Sequence, residues 1–270
     1  PFWVADARVL IGGIALAVGL AAAGVDSGLR RHWLPYAVMG VVNCAVPFAL
    51  YGYAALHLPA SYLAILNAAT PLFASVAAAL WLNERFTLRA AVGLAAGVAG
   101  VALVSRAGPI APDGAFALAV GASLAAALCY ALAGVWLKRY GGSSPPIAIA
   151  AWSQLWAGVA LLPFSVPSQV AGPIGTSVVI NLLLLGLVCS AAAYLLYFRL
   201  IADVGPTRAM TVTFLMPAFG MLWGGLLLHE AITLPMIAGA LLIVGGTASV
   251  LRRSSKEPPA QRRVPATSYR

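Results

Sequence analysis

Polar and aromatic side chains occur at helical spacing inside stretches of this sequence that are otherwise apolar. Asn43 and Tyr51 lie eight residues apart, and Asn67 and Thr70 lie three apart, so each pair shares one face of a helix. Uncharged hydrogen-bonding groups beside aromatic rings bind and orient a small amphipathic or zwitterionic solute. The pattern predicts a solute-binding cavity with an uncharged, aromatic lining; for each residue alone, a hydrogen bond between neighbouring helices is the alternative. The cavity candidates are Asn43, Tyr51, Asn67, Thr70, Tyr130, Trp152, Gln154, Tyr194, Tyr197 and Thr213.

Arg8 lies about two turns inside the first apolar stretch. A guanidinium at this depth pairs with Asp6, extends to the membrane surface, or binds the carboxylate of a solute. Because arginines near helix ends commonly reach the surface, we expect one of the first two roles. A carboxylate partner for Arg8 is the alternative.

Two prolines interrupt apolar stretches, and an acidic residue follows each after the same interval. Pro71 and Pro217 remove a backbone N–H and leave the carbonyl four residues earlier without its helical partner. The kink serves as a hinge or opens a site, unless neighbours merely satisfy the freed groups. Glu84 and Glu230 are predicted to tie adjacent helices together where those helices end, with gating or proton sensing as the alternative.

Patterns that would support catalysis or metal binding do not occur in the sequence. His32, His57 and His229 fall in loops or at helix ends, neither G-x-S-x-G nor H-E-x-x-H is present, and the three cysteines lack metal-ligand spacing. No acidic residue falls in the middle of an apolar stretch, where a proton relay would need one. We expect no enzymatic activity, cofactor or metal, and the predicted helices offer no group for proton coupling, which a preceding helix could still supply; a membrane enzyme acting on lipids is the alternative.

The elements that carry these residues follow from the composition. Of 270 residues, 62% are hydrophobic and 9% are charged, and the mean hydropathy is +0.94. Soluble domains are about 25% charged, so the composition predicts an integral membrane protein. Each span needs about 20 apolar residues. We predict nine helices, over residues 2–23, 33–56, 61–82, 87–104, 114–137, 146–164, 178–201, 207–228 and 233–251.

An internal repeat relates the first four predicted helices to the last four. Shifted by 146 positions, residues 57–106 align with residues 203–252 without a gap, and 13 of the 50 positions are identical. The fifth helix has no counterpart, so the pattern predicts a ten-helix fold of five plus five, of which nine helices are present. Because five is odd, the second repeat must be inverted relative to the first.

The distribution of basic residues supports this topology. With alternating spans, one face carries 14 of the 16 Lys and Arg residues, and the positive-inside rule makes that face cytoplasmic. The predicted divisions are a first repeat over 1–107 that lacks its first helix, a second, inverted repeat over 108–251, and a basic disordered tail over 252–270.

Five segments resemble the EamA-type permeases of the drug/metabolite transporter superfamily. The first repeat contains HLPASYLAILNAATPLF at 57–73 and LNERFTL at 82–88. The second contains VGPTRA at 204–209, FLMP at 214–217 and LHEAITL at 228–234. The resemblance covers essentially the whole chain and implies a ten-helix, all-α carrier with both termini in the cytoplasm. It also implies export of small metabolites, with aromatic or neutral amino acids as one substrate class.

The expected partners are a small-molecule substrate and the surrounding lipids. The chain is expected to lie in a bacterial inner membrane and to move its solute by alternating access around a central cavity. Nucleosides, sugars and cationic drugs are alternative substrates. We expect no nucleic-acid binding and a monomer, with a homodimer as the alternative.

Overall fold

The computed structural model describes residues 2–83, 86–107, 113–140, 145–166, 174–204 and 210–251. In these ranges the chain forms nine helices and no strand, which confirms the predicted fold class. Seven of the helices are long and apolar enough to cross a membrane, and the last two are shorter apolar helices. The helices are α1, Phe2–Ala22; α2, Leu29–Ala54; α3, Ala60–Trp81; α4, Leu88–Ala107; α5, Gly114–Tyr140; α6, Pro146–Ser165; α7, Thr176–Leu183 continuing through Leu184–Ala192 to Ala193–Val204; α8, Met210–Phe214 continuing into Leu215–Leu227; and α9, Leu234–Leu251.

A short helical turn precedes the predicted start of α2. It begins at Leu29, after Gly28 in a left-handed conformation with φ of 55°, and His32, with φ of −117° and ψ of 22°, kinks the helix, so the continuous part begins at the predicted position 33. The backbone N–H of Gly28 donates to Asp26 Oδ1 over 2.9 Å and fixes this turn. Arg30 therefore lies in the first turn of α2 and not in the loop.

The local backbone repeats at the same interval of 146 residues as the sequence. Asn83 and His229 follow the ends of α3 and α8, and both have φ of 54°. This left-handed conformation is uncommon outside glycine, although Asn and His adopt it more often than most residues. Both α2 and α7 also contain a wider, π-helical segment, over Gly40–Ala45 and Leu184–Ala192, which overlap when shifted by 146. The two repeats thus share conformation where their sequences differ.

Helices that correspond by the repeat pack directly against each other. The most extensive packing in the bundle joins α4 to α9 and α1 to α6. A Cβ added to Gly93 would lie 2.6 Å from the carbonyl oxygen of Gly246, and one added to Gly100 would lie 2.6 Å from that of Gly239. A shift of 146 converts the first contact into the second, so the α4–α9 crossing has approximate two-fold symmetry.

Contacts at the helix ends show that neighbouring spans alternate in direction. Asp6 at the start of α1 bonds to Ser165 at the end of α6. At the other face, Arg139 Nη1 near the end of α5 donates to the Trp81 carbonyl, at the end of α3, over 2.6 Å. Two predicted features lie outside the described residues: Glu84, expected to link neighbouring helices, and the basic tail over 252–270.

Substitution of Gly246 by alanine should destabilise the α4–α9 crossing, because the added Cβ would collide with the backbone of Gly93. Overpacking of this kind typically costs about 1–3 kcal/mol. Thermal unfolding of the purified protein in detergent measures the effect. Gly245→Ala is the matched control, because nothing lies within 4 Å of a Cβ at that position; equal melting temperatures for the two variants would contradict the proposed crossing.

Candidate functional site

Arg8 lies inside the bundle, where α1 meets α2 and α7. Its Nε donates to Ser190 Oγ over 3.0 Å, and its guanidinium carbon lies 4.2 Å from the centre of the Phe48 ring. Asp6, the partner we expected, instead accepts a hydrogen bond from Ser165 Oγ over 2.5 Å. The expected pairing of Arg8 with Asp6 is therefore wrong, whereas extension of the half-buried Arg8 to the membrane surface stays a prediction. Arg8 adds a charged group beside side chains that the prediction described as uncharged.

The π-helical segments of α2 and α7 have different local causes. In α2, Pro47 follows the segment and has no N–H, and the Val46 N–H bonds to the carbonyl of Val41, five residues earlier. In α7, the hydroxyl of Ser190 donates to the carbonyl of Leu185 over 3.1 Å. Such widened turns occur often at functional sites, and here one of them carries the hydrogen-bond partner of Arg8.

Cys44, in the π-helical segment of α2, joins α2 to α6 and α7. Its thiol interacts with the side chains of Asn43, Ser153 and Tyr194. Cys44 is fully buried. By the repeat it corresponds to Ser190, so the two repeats place corresponding side chains at the centre of the bundle.

A second group of predicted residues continues the cluster along α2, α3 and α5. Tyr51 Oη donates to Asn67 Oδ1 over 2.9 Å, and the rings of Tyr51 and Tyr130 stack with centroids 6.2 Å apart. The amide nitrogen of Asn67 contacts the sulfur of Met216 on α8 at 3.8 Å. These contacts bring residues of both repeats together.

Pro71 breaks α3, and side chains replace the backbone bonds that are lost. The Asn67 carbonyl receives no backbone hydrogen bond from Pro71, because Pro71 has no N–H. It accepts a hydrogen bond from Thr70 Oγ1 over 2.7 Å instead. The Leu72 N–H bonds to Ala69 rather than to Ala68, and the Ala68 carbonyl accepts from Thr247 Oγ1 of α9 over 3.0 Å. In α8, Pro217 lies just after the change from 3₁₀- to α-helix at Leu215. Both prolines therefore mark breaks in their helices; their use as hinges stays a prediction.

Gln154 is fully buried at the crossing of α1 and α6. Neither its Oε1 nor its Nε2 has a hydrogen-bond partner among the residues that the structure describes. A Cβ added to Gly12 of α1 would lie 2.6 Å from Gln154 Oε1 and 2.9 Å from Ser190 Cβ, so glycine alone leaves room for these groups. A shift of 146 places Gln154 at the position of Arg8.

Comparison with known proteins agrees with this architecture. The model of the EamA-like transporter family matches residues 1–106 and 117–252. The chain belongs to the EamA-like transporter family. It is 28% identical over 264 residues to the uncharacterized transporter YvbV of Bacillus subtilis (strain 168), which covers 96% of this chain and 85% of YvbV.

Two further similarities concern a named exporter and a solved structure. The chain is 27% identical over 250 residues to a probable terminal-alkyne amino-acid exporter of Streptantibioticus cattleyicolor, covering 88% of this chain and 80% of that protein. A crystal structure of a protein 22% identical in sequence superimposes with a TM-score of 0.65 over 93% of this chain and 88% of the other. The structural match supports the fold alone.

Glu230 of this EamA-like protein ties two helices together. Its Oε1 accepts from the backbone N–H of Ala60 over 2.7 Å, and its Oε2 accepts from that of Ser61 over 3.0 Å. From the loop between α8 and α9, it thereby supplies acceptors for backbone N–H groups in the first turn of α3 that have no partner within the helix, as a capping carboxylate does. Gly224 leaves room for this carboxylate. Glu84 lies outside the described residues.

Three candidates lie away from the contacts around Arg8. Trp152 lines a groove of about 400 Å³ between α6 and the start of α2, together with Arg30 and Trp33. Tyr197 is half-buried on α7, one turn after Tyr194, and Thr213 is half-buried in the 3₁₀-helical start of α8. The structure does not bring Trp152 into the central cluster.

The candidate set omitted Cys44, Phe48 and Ser190. Each is a common core residue in a membrane helix, and only its neighbours give it a role. The repeat offered a signal, because Cys44 and Ser190 are corresponding positions and so are Phe48 and the predicted Tyr194.

Substitution of Thr247 by valine should destabilise the protein, because it leaves the buried carbonyl of Ala68 without a donor. An unsatisfied buried group costs about 1–3 kcal/mol. Thermal unfolding in detergent again measures the loss. Ser249→Ala on the same helix is the control, because Ser249 is exposed and bonds only within α9; if Thr247→Val unfolded no earlier than Ser249→Ala, the repair of the α3 break would not depend on Thr247.

Proposed function

We propose that this EamA-like protein exports small amphipathic metabolites, with amino acids as the first class to test. One observation carries the proposal: polar and aromatic side chains of both repeats meet midway along α1, α2, α6 and α7. Polar groups at membrane depth generally face a cavity or one another and mark a solute pathway. The relative named as a probable terminal-alkyne amino-acid exporter supports the choice of amino acids.

The solute crosses by alternating access, with the two inverted repeats, 1–107 and 108–251, moving against each other. The two-fold relation of the α4–α9 crossing supports this mechanism, because related halves that exchange conformations open the same site to opposite faces. The fully buried Gln154 and the Tyr51–Asn67 bond correspond to a state in which the site is closed. Pro71 and Pro217 supply the breaks at which α3 and α8 bend.

The membrane orientation follows from charge. The face that carries Arg30, Arg89 and Arg139 is the cytoplasmic one, and the tail 252–270 lies there against anionic lipids. We further propose that the protein lies in a bacterial inner membrane as a monomer. It acts without a cofactor, without nucleic acid and without enzymatic turnover.

Counterflow in proteoliposomes tests the proposed export. The full-length protein is reconstituted, the vesicles are loaded with one unlabelled amino acid at a time, and uptake of the labelled form is followed with and without a pH gradient. We expect saturable exchange of one class of amino acid that does not depend on the gradient. Exchange that requires the gradient would contradict transport without proton coupling.

Nucleosides, sugars and cationic drugs form the second panel of the same assay. Exchange of one of these, but of no amino acid, would support the proposed carrier function and contradict amino acids as its substrates. Release of a modified lipid from the vesicles, without exchange of any solute, would contradict the carrier and favour a membrane enzyme.

Substitution of Tyr51 by phenylalanine should raise the KM for exchange about fivefold, because a lost hydrogen bond of about 1 kcal/mol loosens the group that Tyr51 and Asn67 form. The KM for the best amino acid of the panel is the quantity measured. Tyr53→Phe is the control: Tyr53 lies on the same helix but contacts His57 beyond the cluster. Equal KM values for the two variants would argue against Tyr51 as part of the site.

A further inference from the structure

We infer that the transported solute carries a carboxylate, that this carboxylate binds at Arg8, and that Gln154 takes the place of Arg8 when the repeats exchange conformations. The inference rests on the proposed export and adds to it the chemical group that the site recognises. Two independent observations carry it: a positive charge without a counter-ion and a buried amide without a partner.

The charge of Arg8 is not balanced by any acidic side chain that the structure describes. Its contacts with described residues are the hydroxyl of Ser190 and the ring of Phe48, both uncharged. Asp6, the nearest acid along the chain, accepts from Ser165 through Oδ2, and its Oδ1 is buried without a hydrogen-bond partner among the described residues, so it too makes no bond to Arg8. Ionised groups within a membrane protein are costly unless they are paired, so an arginine held here needs an anion for part of its working cycle.

The contacts that hold Arg8 leave its two terminal guanidinium nitrogens available to bind a carboxylate. Nε is bonded to Ser190, and one face of the guanidinium lies on Phe48, which fixes the orientation of the plane. The two terminal nitrogens make no hydrogen bond to any residue that the structure describes. Two parallel N–H donors in one plane match the two oxygens of a carboxylate.

Gln154 adds a donor and an acceptor next to this position. A Cβ added to Gly12 would meet both the Gln154 amide and Ser190, the residue that holds Arg8, so the amide and Ser190 lie beside the same residue of α1. A buried amide normally makes hydrogen bonds, and leaving it unpaired is unfavourable. In the proposed cycle, this conformation is the state in which Ser190 holds Arg8 and the Gln154 amide makes no hydrogen bond.

The repeat indicates what Gln154 engages in the opposite state. A shift of 146 relates Arg8 to Gln154, Ser190 to Cys44, and Phe48 to Tyr194. The partners of Arg8 thus correspond to Cys44 and Tyr194, which already interact with each other. When the repeats exchange conformations, Gln154 bonds to Cys44 and Tyr194, Arg8 leaves Ser190, and the carboxylate is released to the other face.

The asymmetry between the two positions is what allows release. A guanidinium holds a carboxylate through charge and two hydrogen bonds, whereas an amide offers hydrogen bonds alone. The aromatic walls, Phe48, Tyr130 and Tyr194, favour a solute with an apolar or aromatic remainder. The class is a small monocarboxylate, zwitterionic amino acids included.

Binding and exchange are measured on the full-length protein with phenylalanine and with phenylalaninamide, which lacks the carboxylate. Isothermal titration in detergent gives affinity, and counterflow in proteoliposomes gives transport. For the unaltered protein, we expect phenylalanine to bind at least tenfold more tightly than the amide. In Arg8→Gln this preference should disappear, with phenylalanine affinity reduced about tenfold or more, as expected for the loss of a charged, bidentate contact.

Arg106→Gln is the matched control, since Arg106 lies in the last turn of α4, away from the cluster. It should keep the affinity and the preference of the unaltered protein. Melting temperatures of all variants show which of them fold. Arg8→Lys, which keeps the charge but loses the planar pair of donors, should bind phenylalanine with intermediate affinity and serves if Arg8→Gln does not fold.

The double variant Arg8→Gln/Gln154→Arg tests whether the two corresponding positions can exchange roles. It moves the guanidinium to the corresponding position of the other repeat and should recover the preference for phenylalanine over the amide in binding. Gln154→Leu should keep phenylalanine binding and lose exchange, because the opposite state lacks its hydrogen bonds.

The outcomes separate this inference from the proposed function. If Arg8→Gln keeps both its preference for phenylalanine over the amide and its solute exchange, the proposed role of Arg8 is wrong, whereas the proposed export is not contradicted. Binding that depends on Arg8 without exchange of any solute would support the carboxylate site and contradict the exporter. If neither phenylalanine nor any other carboxylate of the amino-acid panel binds, the inference is wrong.

Discussion

The need to satisfy every backbone hydrogen bond without water is the constraint on which this structure depends. In hydrocarbon an unpaired carbonyl or N–H is costly, so a helix can be interrupted only where another group replaces the missing bond. Thr70 and Thr247 do this at the break in α3, and Glu230 does it at the start of the same helix. The polar side chains outside the central cluster therefore serve mainly to keep interrupted helices inside the membrane.

A second consequence is that close packing takes the place of the hydrophobic effect. Apolar side chains gain little by leaving lipid for a neighbouring helix, so helices associate where small residues let their backbones approach. Glycines of α4 and α9 oppose each other in two contacts that the repeat interchanges, and Gly12 leaves room for Gln154 between α1 and α6. The pairing of corresponding helices gives the family fold its approximate two-fold axis, and the candidate site lies on the helices that meet there.

The proposed function depends on departures from that symmetry. If both repeats had the same side chains at the centre, the two closed states would have the same contacts and bind a solute equally. Arg8 and Gln154 occupy corresponding positions but differ in charge. The side chains beside them also differ between the repeats: Ser190 and Phe48 in one case, Cys44 and Tyr194 in the other. Under the proposed alternating access, a symmetric scaffold supplies two states of similar energy, and a few unlike residues make one of them bind the solute more tightly.

The sequence by itself determined the fold, because hydropathy and an internal repeat are properties of order along the chain. Nine helices, their alternation and the breaks at Pro71 and Pro217 could all be predicted, and so could the link that Glu230 makes between helices. The pairing of Tyr51 with Asn67 could be anticipated only as two polar residues on neighbouring helices. The tertiary structure alone decided the direction of Arg8, the absence of Trp152 from the central cluster and the isolation of the Gln154 amide. Spacing along a helix gives the face on which a side chain lies, but its partner depends on how closely the next helix approaches, and here glycines on other parts of the chain set that distance.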